Sequence, residues 1–180
     1  MLYLIRHAHS DYSPDEMRGL SGAGHDAACR VADLLEPCDV TRIVASPYRR
    51  AIQTVQPLAD RLRVPIDIDH DLRERLLCRE TLDDIHGPLE KVWRDFEFCY
   101  PGGESSSVAQ ARVRAAIDRI AAEADRRNVA IASHGNALAL FLRTLDPAID
   151  YAFWARMSLP DVYVVDTQHD REWTYRRMWA

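Results

Sequence analysis

Short apolar runs alternate along this sequence with segments of helical periodicity, and that alternation constrains the fold more than any other feature. Residues 2–6 read as a mostly apolar strand beginning at the second residue. Ser21 predicts the cap of a helix ending near Leu35, with Ala27, Val31, Leu34 and Leu35 on one face and Pro37 as its stop. Residues 41–45 form a second strand candidate. Ser46-Pro47 then predicts a cap and first helical residue for a helix reaching about Leu62. Residues 65–68 alternate as a third strand, and 80–98 predict a helix broken near Gly87-Pro88. Residues 105–127 carry the strongest helical signal, with Val113, Ile117, Ile120 and Ala124 in one stripe. A fourth strand over 129–133, a helix over 136–145 and a terminal strand pair over 162–166 and 172–178 complete the pattern. Such an order predicts an α/β fold with a mostly parallel sheet covered by helices on both faces. With 180 residues the chain suits one domain, and a core of that size needs no disulfide or metal staple.

In open parallel sheets, ligands bind outside the carboxyl ends of the strands. Here those ends carry Arg6-His7, Ser46-Pro47 followed by Arg49 and Arg50, and Ser133-His134-Gly135. A single histidine at a strand end is more often structural than catalytic. Two histidines with arginine neighbours, all at the ligand edge, favour a site for a dianionic phosphoryl group, which guanidinium forks and helix N-termini both bind.

Five segments, spread over residues 2–135 in order, carry a family resemblance. Leu4-Ile5-Arg6-His7-Ala8-His9-Ser10 is similar to the R-H-G-x-[ST] signature of the histidine phosphatase superfamily, also called phosphoglycerate mutase-like. Ser46 to Thr54 resembles its S-P-x-x-R-A-x-x-T segment, with Arg50 rather than Arg49 at the pocket position. Leu72-Arg73-Glu74 resembles the family's L-x-E, Pro101 to Ser105 its P-G-G-E-S turn, and Ser133-His134-Gly135 its S-H-G.

The resemblance implies a mixed, mainly parallel sheet, and a single domain over 1–180 with a substrate-side segment near 71–104. It implies His7 as a nucleophile that becomes phosphohistidine, and His134 beside it. Arg6, Arg50, Ser10 and Ser13 would bind phosphate, and Glu74 would protonate the leaving oxygen. No metal and no cofactor are implied. Three departures stand out: the glycine after the nucleophile is Ala8, the family's asparagine falls at Ser13, and Arg18 to Gly24 is closer to the short phosphohistidine phosphatases. Ala8 predicts an ordinary backbone there, since a positive φ would cost alanine about 1 kcal/mol.

The main expectation is a metal-independent phosphatase acting on a small phosphorylated metabolite. A phosphoglycerate mutase is the first alternative, disfavoured by the short stretch between Glu74 and Pro101. A phosphohistidine protein phosphatase is the second, disfavoured by Glu74, because a histidine leaving group needs less acid help. A non-catalytic phosphate-binding module is the third, and it would be expected to have lost one of His7, Arg6, Arg50 and His134. Glu74 also admits a plain reading as an ion-pair partner among Arg73, Arg75 and Arg79. His9 sits close enough to the nucleophile to touch substrate, while His25, His70, His86 and His169 read as solvated. Trp93, Phe96 and Tyr100 read as packing.

Charge and cysteine usage exclude several other classes. A net charge of −5 argues against a nonspecific nucleic-acid or anionic-membrane binder, even though all basic residues but Lys91 are arginine. No apolar run reaches bilayer length, and Arg6 interrupts the start too early for a signal peptide. Cys29, Cys38, Cys78 and Cys99 show no zinc spacing and read as reduced thiols in a cytoplasmic protein. A homodimer is compatible with this sequence.

Overall fold

The computed structural model describes every residue except 12, 14, 16, 80–84 and 168–171. Six strands, β1 (Leu2–Arg6), β2 (Val40–Ala45), β3 (Ile66–Ile68), β4 (Asn128–Ser133), β5 (Asp161–Asp166) and β6 (Thr174–Arg177), form one sheet. Its order is β3-β2-β4-β1-β5-β6. The first four strands in that order run parallel, while β5 is antiparallel to β1 and β6 to β5. The expected mixed, mainly parallel sheet is therefore present. Helices α1 (Gly22–Leu35), α2 (Arg49–Leu62), α3 (His86–Arg94), α4 (Ser106–Glu123), α5 (Gly135–Arg143) and α6 (Tyr151–Arg156) cover it.

Alternation along the central strands divides the core in two. Leu2 and Leu4 of β1 and Val129 and Ile131 of β4 pack under α3 to α6 with Val113, Ile117 and Phe141. Tyr3 and Ile5, with Ala130 and Ala132, pack under α1 and α2 against Val31, Leu35, Val55 and Leu58. Successive side chains of a strand point to opposite faces, so a run without polar residues is buried on both.

Ser21 caps α1 as expected, accepting from Gly24 N. The start of α2 differs: the chain bends at Pro47 and Tyr48, and the helix begins at Arg49 instead of Pro47. The Ser46 hydroxyl pairs with His134 and accepts Tyr48 N–H, which lies before the first helical residue, so it caps no helical turn. Helix α3 takes up Gly87 and Pro88 in its first turn, where a missing N–H breaks no helical bond. Helix α4 stops at Glu123, before a loop in which Asp125 and Arg126 have φ of 47° and 64°. The short helix α6 has no counterpart in the sequence reading. Its cap is Asp150, which accepts from Phe153 N.

Candidate active site

The parallel strands β1, β2 and β4 end in register, with Arg6 opposite Ser133 and Ala45 opposite Ala132. The pairing runs one residue further, through His7 N to Ser133 O (3.0 Å) and Ser46 N to Ala132 O (2.9 Å). This continuation brings His7, Ser46 and His134 to one edge of the sheet.

His7 lies on the floor of a cleft, only 9% exposed, and is not at the solvent-facing position that a strand end suggests. Its Nδ1 lies 2.8 Å from Ala8 O. A carbonyl can only accept, so Nδ1 carries the proton and Nε2 keeps its lone pair. That Nε2 receives the Arg50 Nε–H at 3.3 Å. Ala8 has an ordinary backbone, and its N–H donates to Thr54 Oγ1 (2.9 Å), which in turn donates to Arg50 O (2.7 Å). Thr54 thereby ties the loop after β1 to α2, fixing His7 and Arg50 with respect to each other.

His134 precedes α5 and is fully buried; its ring meets His7 edge-on, with centroids 5.2 Å apart. Tyr48 also meets the His134 ring edge-on, centroids 5.0 Å apart, and carries the Arg50 guanidinium over its own ring at 4.7 Å. Gly135 is required here: a Cβ would lie 2.9 Å from both Arg6 Cζ and Trp154 Nε1. Arg6 donates from Nη1 to Met157 O (2.7 Å).

Glu74 stands across the cleft. Its carboxylate accepts Ala137 N–H (3.0 Å) and Asn136 N–H (3.2 Å) at the start of α5, and Arg75 N–H (2.9 Å). Among the described residues Glu74 joins no ion pair, because its arginine neighbours turn elsewhere. Arg73 Nη2 reaches Glu104 (3.2 Å), while Arg75 donates to Glu104 O and Ser106 Oγ, each at 3.0 Å. Arg112 grips Glu104 through Nε and Nη2 (2.9 and 2.8 Å) and also holds the carbonyls of Asp71 and Arg73. Burial alone would raise the Glu104 pKa, but the Arg112 and Arg73 charges outweigh it and keep this carboxyl below its usual range. Glu104 is therefore a brace for the loop that carries Glu74.

The cleft between these groups has a volume of about 300 Å³. Arg6, His7, Ser10, Arg18, Arg50 and Glu74 supply its polar lining, and Leu77, Ile85, Leu89, Trp154 and Leu159 an apolar wall. Ser13 is not brought in: its hydroxyl accepts Asp15 N–H (3.2 Å), and its carbonyl anchors Arg18 (3.0 Å). His9 points away, bonding Ser21 Oγ at 2.9 Å. Arg18 is the pocket residue that sequence reasoning passed over. It stood in a recognised motif, but no spacing rule says that the loop folds it back beside Ser10 (3.4 Å). Trp93 is core, with Phe96 and Tyr100 packed against it. Among the described residues no three His, Cys, Asp or Glu side chains gather as a metal site, and no helix is long and apolar enough to cross a membrane.

Four buried polar atoms among the described residues have no hydrogen-bond partner: Arg6 Nε, Arg75 Nη2, His134 Nδ1 and Trp154 Nε1. Buried polar atoms are normally paired, and all four belong to residues in or beside this cleft.

Burial pushes the His7 pKa down from 6.5 to about 3, reinforced by the charges of Arg50, Arg6 and Arg18. His134 is held well below 6.5 by burial and by the same neighbours. The unfolded chain takes up these protons near pH 6.5 and the native protein refuses them, so stability falls as pH drops through that value. The decline from His7 continues to about pH 3. Each refused proton contributes about 1.4 kcal/mol per pH unit. Unfolding free energies from urea titrations between about pH 6 and about pH 4 should decline less steeply, by about that slope, in His7→Gln than in the wild type. Equal slopes would mean that His7 titrates normally.

The profile of the histidine phosphatase superfamily (branch 1) matches residues 2–179. The agropine synthesis reductase of Rhizobium rhizogenes is 30% identical over 152 residues, covering 76% of this chain and 33% of that protein. This chain thus spans about a third of that relative's length. The glucosyl-3-phosphoglycerate phosphatase of Mycolicibacterium vanbaalenii is 29% identical over 164 residues, covering 80% of this chain and 73% of that protein. The native structure of a mycobacterial glucosyl-3-phosphoglycerate phosphatase aligns with a TM-score of 0.75 at 25% identity, over 98% of this chain and 96% of the other. With the profile matched over nearly the whole sequence and its motif residues gathered at one sheet edge, this chain belongs to the histidine phosphatase superfamily.

Proposed function

We propose that this protein is a phosphomonoesterase that hydrolyses a small phosphorylated metabolite through phosphohistidine, without a metal. The observation that carries the reading is His7: buried, neutral, its Nδ1–H spent on Ala8 O, its Nε2 lone pair beside Arg50. In the first step Nε2 attacks phosphorus in line, forming the P–N bond as the P–O bond to the leaving group breaks. Arg50 and Arg6, with Arg18 and Ser10, hold the equatorial oxygens as charge spreads over them. Glu74 gives its proton to the departing oxygen. In the second step water attacks phosphorus, Glu74 takes the water proton, and the P–N bond breaks to release phosphate and restore neutral His7.

The same pocket could serve a mutase, and a probable phosphoglycerate mutase of Erwinia tasmaniensis is 26% identical over 159 residues. The phosphatase reading is preferred because the segment between Glu74 and Pro101 is short and Lys91 is the only lysine, pointing away over Phe98 at 3.8 Å. Phosphate release should be measured across sugar phosphates, glycerate phosphates, nucleotides and phosphohistidine, with EDTA present. Turnover is expected to survive the chelator, because arginine and histidine supply the positive charge. Orthovanadate should inhibit by competing with substrate. Activity lost in EDTA and restored by Mg²⁺ or Zn²⁺ would overturn the mechanism, and interconversion of phosphoglycerates without net phosphate release would select the mutase.

A further inference from the structure

We infer that Ser46 is a positioning residue, whose hydroxyl holds His134 in the Nδ1–H tautomer so that this ring meets the transferring phosphoryl group as a neutral hydrogen-bond donor. The inference rests on the phosphoryl-transfer reading of the site and assigns a part to a residue outside the proposed chemistry. His134 Nε2 and Ser46 Oγ are 2.7 Å apart, a distance that does not itself say which atom donates. The second partner of the hydroxyl decides it. Ser46 Oγ also accepts Tyr48 N–H at 3.3 Å. If Nε2 carried the proton, the oxygen would receive two N–H groups and its own proton would need another acceptor. Ser46 is fully buried, and its hydroxyl has no third partner among the described residues. With the hydroxyl donating to Nε2, every proton is placed, and the imidazole hydrogen moves to Nδ1.

Nδ1 is the atom of His134 that is buried without a partner. The ring stands edge-on to His7, 5.2 Å between centroids, so an anionic oxygen carried by His7 Nε2 is the acceptor its environment otherwise lacks. Burial and the surrounding arginines keep the ring neutral. It therefore helps as a directed N–H and not as a charge, and direction depends on the tautomer. The opposite tautomer would turn a lone pair toward a phosphoryl oxygen. A serine removed from the phosphate thus determines whether the second histidine attracts or repels it.

The test is a long-range ¹H–¹⁵N correlation spectrum of protein labelled with ¹⁵N-histidine, near neutral pH. The sequence has 7 histidines, and His134 is assigned by the signals missing in His134→Gln. The wild type should show His134 protonated at Nδ1 and bare at Nε2, and orthovanadate should move the Nδ1 proton downfield. Ser46→Ala should shift the ring toward a tautomer mixture and lower kcat about 10- to 100-fold, the usual effect of losing a partner that orients a histidine, with KM changed much less. Ser46→Thr, which keeps the hydroxyl, should restore both the spectrum and the rate. A wild-type His134 protonated at Nε2, or a His134 spectrum unchanged in Ser46→Ala, would overturn the inference. If Ser46→Ala fails to fold, the wild-type tautomer and its vanadate response still decide. A protein with the expected tautomer but no phosphatase activity would sink the proposed function and leave the Ser46–His134 assignment standing.

Discussion

His7→Ala is expected to lose phosphate release by about 10⁴- to 10⁶-fold, the scale on which removing a covalent nucleophile acts. The remaining Arg6, Arg50 and Arg18 would still bind a phosphoryl group, so affinity for orthovanadate or phosphate should fall far less than turnover. The substitution removes a donor to Ala8 O and an acceptor for Arg50, but alanine keeps the backbone N–H that bonds Ser133 O at the end of the β1–β4 pairing. A stability cost of about 1–3 kcal/mol follows for the groups left unpaired, and the variant should stay folded by circular dichroism. In the wild type, quenching during turnover should trap acid-labile, base-stable phosphate on the protein, and His7→Ala should trap none. Turnover retained above the percent level in a folded His7→Ala would place the nucleophile elsewhere. Turnover lost together with the fold would make His7 structural.

The fold was largely legible because its central strands are mostly apolar, with polar residues near their ends, and its helices keep a 3.6-residue stripe. Both patterns depend only on local sequence and on burial. Residues 2–6 and the Ser21 cap fell where the sequence placed them for that reason. The start of α2 did not, because Ser46-Pro47 satisfies the local capping rule while the hydroxyl is drawn to His134, 88 positions away in sequence. The site divides along the same line. His7, Arg50 and His134 follow strand ends, so a rule about sheets locates them together. Ser13 and Arg18 sit on a loop, and there the arginine, which was given no role, lines the cleft, while Ser13, expected to bind phosphate, supports it through Ser13 O. Glu74 was named through its motif, but its hold on the start of α5 and the Glu104–Arg112 brace beneath it are tertiary contacts without a local signature. If Glu74 were not the acid, the other carboxylates to consider would be Glu104, Glu80 and Asp83. Glu104, one of the carboxylates that could have replaced Glu74, is committed to two arginines; Glu80 and Asp83 lie outside the described residues.

Glu74→Gln is expected to cost about 10²- to 10⁴-fold on an alkyl phosphate and much less on nitrophenyl phosphate, because general acid catalysis matters in proportion to the basicity of the departing oxygen. An alkoxide cannot leave without a proton at neutral pH, whereas a nitrophenolate can. The structure supplies the geometry for this comparison. Glu74 Oε1 is taken up by the Ala137 and Arg75 N–H groups, but Oε2 accepts only Asn136 N–H and keeps a lone pair, and the carboxyl lines the cleft with His7. Arg73 and Arg75 are turned toward Glu104, so no guanidinium pairs with the carboxylate and competes for the proton. Glutamine retains one oxygen to accept Ala137 N–H. Its NH₂ group would face Asn136 N–H, which loosens that contact, while Arg112 still holds the loop through the carbonyls of Asp71 and Arg73. Loss of anchoring alone would therefore depress both substrates alike, and loss of the proton would separate them. The ratio of the two kcat/KM losses is the measurement. A ratio near one would mean that Glu74 orders the loop and moves no proton. A large ratio would identify Glu74 as the group that hands a proton to the departing oxygen.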